Sequence, residues 1–168
     1  MVKKIIIATL LVTIIPLSSR AQAYDGDADF KLFVGYLNFS GKSGAEIGYE
    51  RGISDFLSCG IMLRYVEGEK DSDGDCNFLY GVNGAAVLNC HFQDCLKLPH
   101  TADIVAGPRV SLRSDVGIAV GIRYNFGEVV GVYAQTERNL LRIVKPNNDF
   151  PSPYTKKWGF SVGLTFNL

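Results

Sequence analysis

Trp158-Gly159-Phe160-Ser161-Val162-Gly163-Leu164-Thr165-Phe166-Asn167-Leu168 alternates without a break. Successive side chains of a strand point to opposite faces, so Trp158, Phe160, Val162, Leu164, Phe166 and Leu168 form one wholly apolar face. Gly159, Ser161, Gly163, Thr165 and Asn167 form the other, which is small or polar. Such a strand wants an apolar medium on one side only. The rest of the chain decides whether that medium is a protein core or lipid.

The first 23 residues read as a secretory signal. Lys3 and Lys4 give a basic start, Ile5 to Leu17 an apolar run, and Ala21-Gln22-Ala23 a small-x-small cleavage site. The run is too short and too near the start for a convincing membrane span; a retained anchor helix is the alternative. No cysteine follows the cut, which argues against a lipid anchor. The expected organisation is a signal peptide over 1–23 and one domain over 24–168. Without Lys3, Lys4 and Arg20 the 17 basic residues fall to 14 against 17 acidic ones, a net charge of −3. That excludes the basic patch that nucleic-acid binding requires. No long apolar run follows the signal, so a mature chain that enters a membrane must do so as strands.

Eight strands are expected, over 30–39, 44–51, 56–66, 77–90, 103–112, 116–126, 129–138 and 157–168. Their lengths approach the roughly 9–11 residues that a tilted strand needs to cross a bilayer. Ser40-Gly41-Lys42-Ser43, Ile53-Ser54-Asp55, Arg113-Ser114-Asp115 and Gly127-Glu128 mark turns between them. Alternation recurs from Val116 to Phe126 and from Leu57 to Tyr65, whereas strands one, four and seven are noisier and require Phe33 and Leu37 to face inward.

Aromatic placement is a separate test. If the strands run up and down from a periplasmic start, outward Phe30, Tyr49, Tyr124, Phe126 and Phe166 fall at one rim. Tyr36, Tyr65, Phe78, Tyr80, Trp158 and Phe160 fall at the other. Two such girdles follow from the interfacial preference of amphipathic rings. The expected fold is therefore all-β, an eight-stranded antiparallel up-and-down transmembrane β-barrel in the outer membrane of a Gram-negative bacterium. The inverted reading is a soluble lipocalin-like carrier with its apolar face inside.

The inward positions carry Lys31, Arg64, Arg109 and Arg123 against Glu46, Glu50, Asp103 and Glu137. Eight strands leave an interior just wide enough for side chains, so these charges must be paired or wet. A salt-bridged filled core is the expectation; a narrow channel for ions or small solutes is the alternative. Asp71-Ser72-Asp73-Gly74-Asp75 has its glycine at position 4 and Val82 at position 12, which does not fit an EF-hand. Cys90 and Cys95 bracket the long 91–102 turn, and a disulfide would close it. The spacing of Cys90, His91, Cys95 and His100 matches no common zinc pattern. Both histidines are assigned to that turn with no nucleophile motif beside them, so no catalytic residue, metal or cofactor is expected.

Ala21-Gln22-Ala23-Tyr24-Asp25-Gly26, Asp29-Phe30-Lys31-Leu32-Phe33-Val34-Gly35 and the closing Gly159 to Leu168 carry a family likeness. In these pieces the chain resembles the small, mostly uncharacterised outer-membrane β-barrel proteins of Bacteroidota. Its strand count is similar to that of barrels related to outer-membrane proteins A and X. The resemblance implies a membrane barrel and supplies no catalytic residues. The expected role is non-enzymatic, an envelope component or an accessory subunit of a larger outer-membrane complex, acting through the outer loops Glu67 to Asp75 and Asn139 to Tyr154. Expected partners are outer-membrane lipid and, during insertion, the barrel assembly machinery. Arg138, Arg142 and Lys145 are placed to meet lipopolysaccharide phosphates.

Overall fold

The computed structural model describes residues 22–39, 41–67, 78–113, 115–143, 154 and 158–168. Eight antiparallel strands close on themselves in chain order: β1 (Phe30–Phe39), β2 (Lys42–Ser54), β3 (Leu57–Val66), β4 (Val82–His91), β5 (Ala102–Ser111), β6 (Asp115–Asn125), β7 (Val130–Arg142) and β8 (Trp158–Asn167). β1 completes the ring by pairing with β8 from Lys31↔Asn167 to Phe39↔Gly159. Closure satisfies every sheet edge, which an open sheet of these strands would leave exposed. A single 3-10 turn, Gly26–Ala28, precedes β1, and a short helix α1 (Phe78–Gly81) precedes β4.

Alternation reads directly as sidedness. Ile47, Ile61, Leu63, Val110, Ile118, Val120, Ile122, Val162 and Leu164 all lie outward and exposed. Lys31, Glu46, Glu50, Arg64, Asp103, Arg109, Arg123 and Glu137 all lie inward and buried. A soluble barrel built around an apolar cavity has the opposite arrangement. Tyr49 and Tyr124 are outward towards the end that carries the β2–β3, β4–β5 and β6–β7 connections, here the turn end. Tyr36, Phe78, Trp158 and Phe160 are exposed towards the opposite, loop end.

Three local expectations need correction. Residues Phe78–Gly81 form α1 rather than the start of a strand, because tertiary contacts hold them helical: Phe78 stacks on Tyr65, ring centroids 4.6 Å apart. The Arg113 guanidinium also donates to the carbonyls of Leu79 and Val82. β7 runs on to Arg142, so Arg142 lies on a strand and not in the loop expected from Asn139, while Arg138 lies within the strand as expected. An ion pair from Arg142 to Asp115 on β6 (3.3 Å) supports the extension, and a register shift at Val116/Gly117 accommodates it. Cys90 and Cys95 are both free: Cys90 lies on the outward face of β4, and Cys95 lies beyond the strand end in the exposed turn.

Residues up to 21, the stretch Asp71–Asp75 with Cys76, and Lys145 lie outside the described residues, as does the side chain of Tyr80. No helix among the described residues is long and apolar enough to cross a membrane.

Candidate functional site: the charged barrel interior

Looking up the barrel from the turn end, side chains fill it in layers. On β1 the inward order is Lys31, Phe33, Gly35, Leu37 and Phe39. Lys31 sits lowest, held by Asp29 (2.7 Å) and Asn167 (2.9 Å). Above it, Glu50 takes a two-pronged pair from Arg123, both bonds 2.8 Å, and also accepts from Ser58 and Asn89. Arg123 lies over the Phe33 ring at 4.8 Å, which lets a guanidinium share the interior with an aromatic face. A second cluster follows: Arg64 and Arg109 both pair with Glu137 at 2.8 Å, and Arg64 also approaches Glu46 at 3.3 Å. Tyr133 and Gln135 donate to Glu46, and Gln135 accepts from Arg109. The loop end is closed by Leu37, Phe39, Val66 and Tyr154, all essentially buried.

One glycine pair makes this packing possible. Gly35 and Gly163 face each other across the β1–β8 seam. A Cβ on either would run into backbone of the opposite strand and into the Tyr133 ring. Only hydrogen at these positions lets that ring lie flat against the wall.

Sequence reasoning missed one part of the interior. His91 is the last residue of β4 and points inward, 4 % exposed. Its Nδ1 lies 2.6 Å from Asp103 Oδ2 and its Nε2 2.7 Å from Ser58 Oγ. Tyr24 stacks on it face to face, ring centroids 3.4 Å apart. Continuing the β4 alternation by one residue past Cys90 would have found it.

Ser58, His91 and Asp103 thus have the connectivity of a hydrolytic triad, but the hydrogens are placed wrongly for one. Ser58 Oγ is 2.7 Å from Glu50 Oε1, and a carboxylate already gripped by Arg123 can only accept there. The single hydroxyl hydrogen therefore goes to Glu50. His91 Nε2 then faces a Ser58 oxygen whose hydrogen is turned away to Glu50. A serine nucleophile needs the reverse, a ring nitrogen free to take its proton. Among the described residues the buried interior thus sets Lys31, Arg64, Arg109 and Arg123 against Asp29, Glu46, Glu50, Asp103 and Glu137, with buried Asp115 paired to Arg142 nearer the loop end.

The turn end is plugged by the segment before β1, in which Gln22 and Ala23 precede the expected cleavage site and Tyr24 follows it. Ala23 N–H donates to the His100 carbonyl (2.6 Å), and Asn125 Nδ2 donates to the Gln22 carbonyl (2.6 Å). Tyr24 directs its hydroxyl at the carbonyls of Ser54 and Leu57, 2.7 Å from each. Burial, helped by Asp29 and Glu50, pushes the Tyr24 phenol above its ordinary pKa, and burial does the same to Tyr154 at the loop end. A group whose folded pKa is raised stabilises the fold fully below its unfolded value, about 10 for tyrosine, and loses that contribution as pH rises through the folded pKa. Stability is thus expected to fall at strongly alkaline pH, followed by phenolate absorbance alongside unfolding. Tyr24→Phe should blunt the fall; an unchanged alkaline profile would contradict this account of the plug.

The remaining predicted residues fall elsewhere. Arg138 points outward, its guanidinium 5.1 Å from the centre of the Trp158 ring. Cys90 and His91 face opposite sides of β4, so the Cys90, His91, Cys95 and His100 spacing does not converge. Among the described residues no group of three His, Cys, Asp or Glu is placed to hold a metal ion.

The model of a family described as "Family of unknown function (DUF6646)" matches residues 14–168. No curated protein matches the chain. Among solved structures, a de novo designed transmembrane β-barrel is similar at TM-score 0.58 and 6% identity, over 88% of this chain and 100% of that one. At that identity the likeness is one of fold alone. The N-terminal β-barrel domain of Pseudomonas aeruginosa OprF aligns at TM-score 0.45 and 15% identity, over 86% of this chain and 100% of that one.

Proposed function

The chain belongs to the family of unknown function DUF6646, and we propose that it is a non-enzymatic integral barrel of a Gram-negative outer membrane, of the Bacteroidota type. One observation carries this reading: an apolar outer belt surrounds an interior filled by paired charges and closed at both ends. Lipid suits the belt, and backbone satisfied by closure suits the bilayer. The turn end would face the periplasm and the loop end the exterior. Arg138 over Trp158 would then sit at the outer interface, where a cation and an indole both find headgroups. The barrel assembly machinery would insert the chain.

Paired charges filling the bore among the described residues, and a Ser58 hydroxyl committed to Glu50, support a structural or interactive role. The protein would be an envelope component, or an accessory subunit whose outer loops dock on a larger outer-membrane complex. Ser58 buried beneath Glu50 and His91 supports the non-enzymatic part.

The test is extraction in mild detergent followed by gel migration with and without boiling, then planar-bilayer recording of the purified barrel. The expected result is a heat-modifiable band from the membrane fraction and no stable unitary conductance. Recovery from the soluble fraction would overturn the membrane reading. A reproducible single-channel step would replace the closed barrel with a narrow channel.

A further inference from the structure

Two bonds near the start of this chain satisfy the small-x-small rule for removal of a leader. Ala21 and Ala23 frame one, and Ser19 and Ala21 frame the other equally well. A cut after Ala23 would begin the mature chain at Tyr24; a cut after Ala21 would begin it at Gln22. An exported chain meets the peptidase unfolded, so the local rule does not choose between them. The folded barrel does.

Ala23 is completely buried, and its N–H donates to the His100 carbonyl in the β4–β5 connection (2.6 Å). Gln22 offers its own carbonyl to Asn125 Nδ2, also at 2.6 Å. Asn125 is the last residue of β6 and is 1 % exposed, and its Oδ1 has no partner among the described residues. Without Gln22, both polar atoms of a buried amide would go unmade, which is costly. Without Ala23, the turn end would lose a fully buried residue and the bridge to His100. Gln22 also borders two turn-end cavities whose walls carry Asp25, Asp55, Asp94 and Glu128 and no lysine or arginine. A chain beginning at Gln22 would bring an α-ammonium to that acidic end.

We propose that the chain is cut between Ala21 and Gln22, and that the new N-terminus, Gln22-Ala23, seals the turn end of the barrel. A signal peptidase adds water across that amide. The Ala21 carbonyl carbon gains the oxygen and becomes a carboxylate, while Gln22 keeps the nitrogen as an α-ammonium. The residues that the fold buries and bonds are thereby kept in the mature chain. Opposite charge from the neighbouring carboxylates favours the ammonium where it forms. This cut presupposes that the chain is exported, as in the function proposed above. It lies two residues before the one expected from Ala21-Gln22-Ala23.

The experiment expresses the full chain in a Gram-negative host, extracts the membrane fraction in mild detergent and identifies the tryptic N-terminal peptide by mass spectrometry. The expected peptide runs from Gln22 to Lys31. It should appear as the free amine, or lighter by one ammonia where the α-nitrogen has displaced the side-chain amide nitrogen of Gln22. Ser19→Leu puts a bulky side chain where the cut after Ala21 needs a small one, and leaves Ala21 and Ala23 intact. The Gln22 start should then disappear in favour of Tyr24 or the unprocessed chain. A refolded chain beginning at Tyr24 should also lose its heat-modifiable band at a lower urea concentration than one beginning at Gln22. A Tyr24 start in the membrane fraction of the unaltered protein would overturn the cut alone. An intact Met1 start would overturn it too, together with the export reading if that chain is soluble. A Gln22 start undiminished in Ser19→Leu would overturn the assignment to the signal peptidase, and equal urea midpoints would overturn the sealing role.

Discussion

Glu137→Ala is expected to remove about 3–5 kcal/mol of unfolding free energy, the usual consequence of leaving buried charge without its counterpart. The effect should sit at the upper end of that range because one carboxylate serves two guanidiniums. Arg64 Nη1 and Arg109 Nη1 each lie 2.8 Å from it, and both arginines are buried. Glu46 compensates only in part: its Oε2 lies 3.3 Å from Arg64 Nε, but its Oε1 is occupied by Tyr133 and Gln135. The measurement is urea unfolding in detergent micelles, read by loss of the heat-modifiable band. Glu137→Gln, which keeps an acceptor and loses the charge, should fall between wild type and Ala. A loss below about 1 kcal/mol for Glu137→Ala would mean the arginines are hydrated and the interior is wet.

Glu50→Ala should be comparably damaging, again about 3–5 kcal/mol, but with a different local signature. Glu50 holds Arg123, Ser58 and Asn89 together, and Ser58 in turn touches His91. Removing it frees the Ser58 hydroxyl hydrogen and leaves Arg123 without its carboxylate. The disturbance should reach Tyr24, because its ring rests on His91. Limited proteolysis near Asp25 to Asp29 should therefore speed up in Glu50→Ala and not in Glu137→Ala. Equal protection in both variants would show that the plug stands independently of the network. Restoring neutrality by Glu50→Met with Arg123→Met should recover much of the loss, since well-packed apolar groups often replace a buried pair at little cost.

What the sequence made legible follows from one physical fact, the two-residue period of a strand. Where every outward residue is apolar, as on β3, β6 and β8, that period alone located the elements and their sidedness. β1, β4 and β7 are harder, because a barrel interior accepts any side chain that fits. Phe33, Leu37 and Tyr133 are apolar or aromatic and face in, filling space between charge clusters. Ending β4 at Cys90 hid His91, and with it the link from Asp103 to Ser58. The helix α1 was not readable locally. Phe78-Leu79-Tyr80 has strand-forming residues, and its conformation is imposed by Tyr65 and by Arg113 from distant strands. The 92–98 turn was equally hidden, since it depends on how Phe92 and Gln93 fold back under Asp103.

The seam between β1 and β8 also sets how the molecule must come into being. Lys31 meets Asn167 across 136 positions of chain, and the ladder between those two strands is all of this kind. Contacts at such separation carry the largest loop-closure entropy and form slowly. Before they form, the nascent sheet has two bare edges, the features that most invite intermolecular pairing. Closure of that seam, where Gly35 and Gly163 leave room for Tyr133, removes both bare edges at once and with them the hazard of intermolecular pairing.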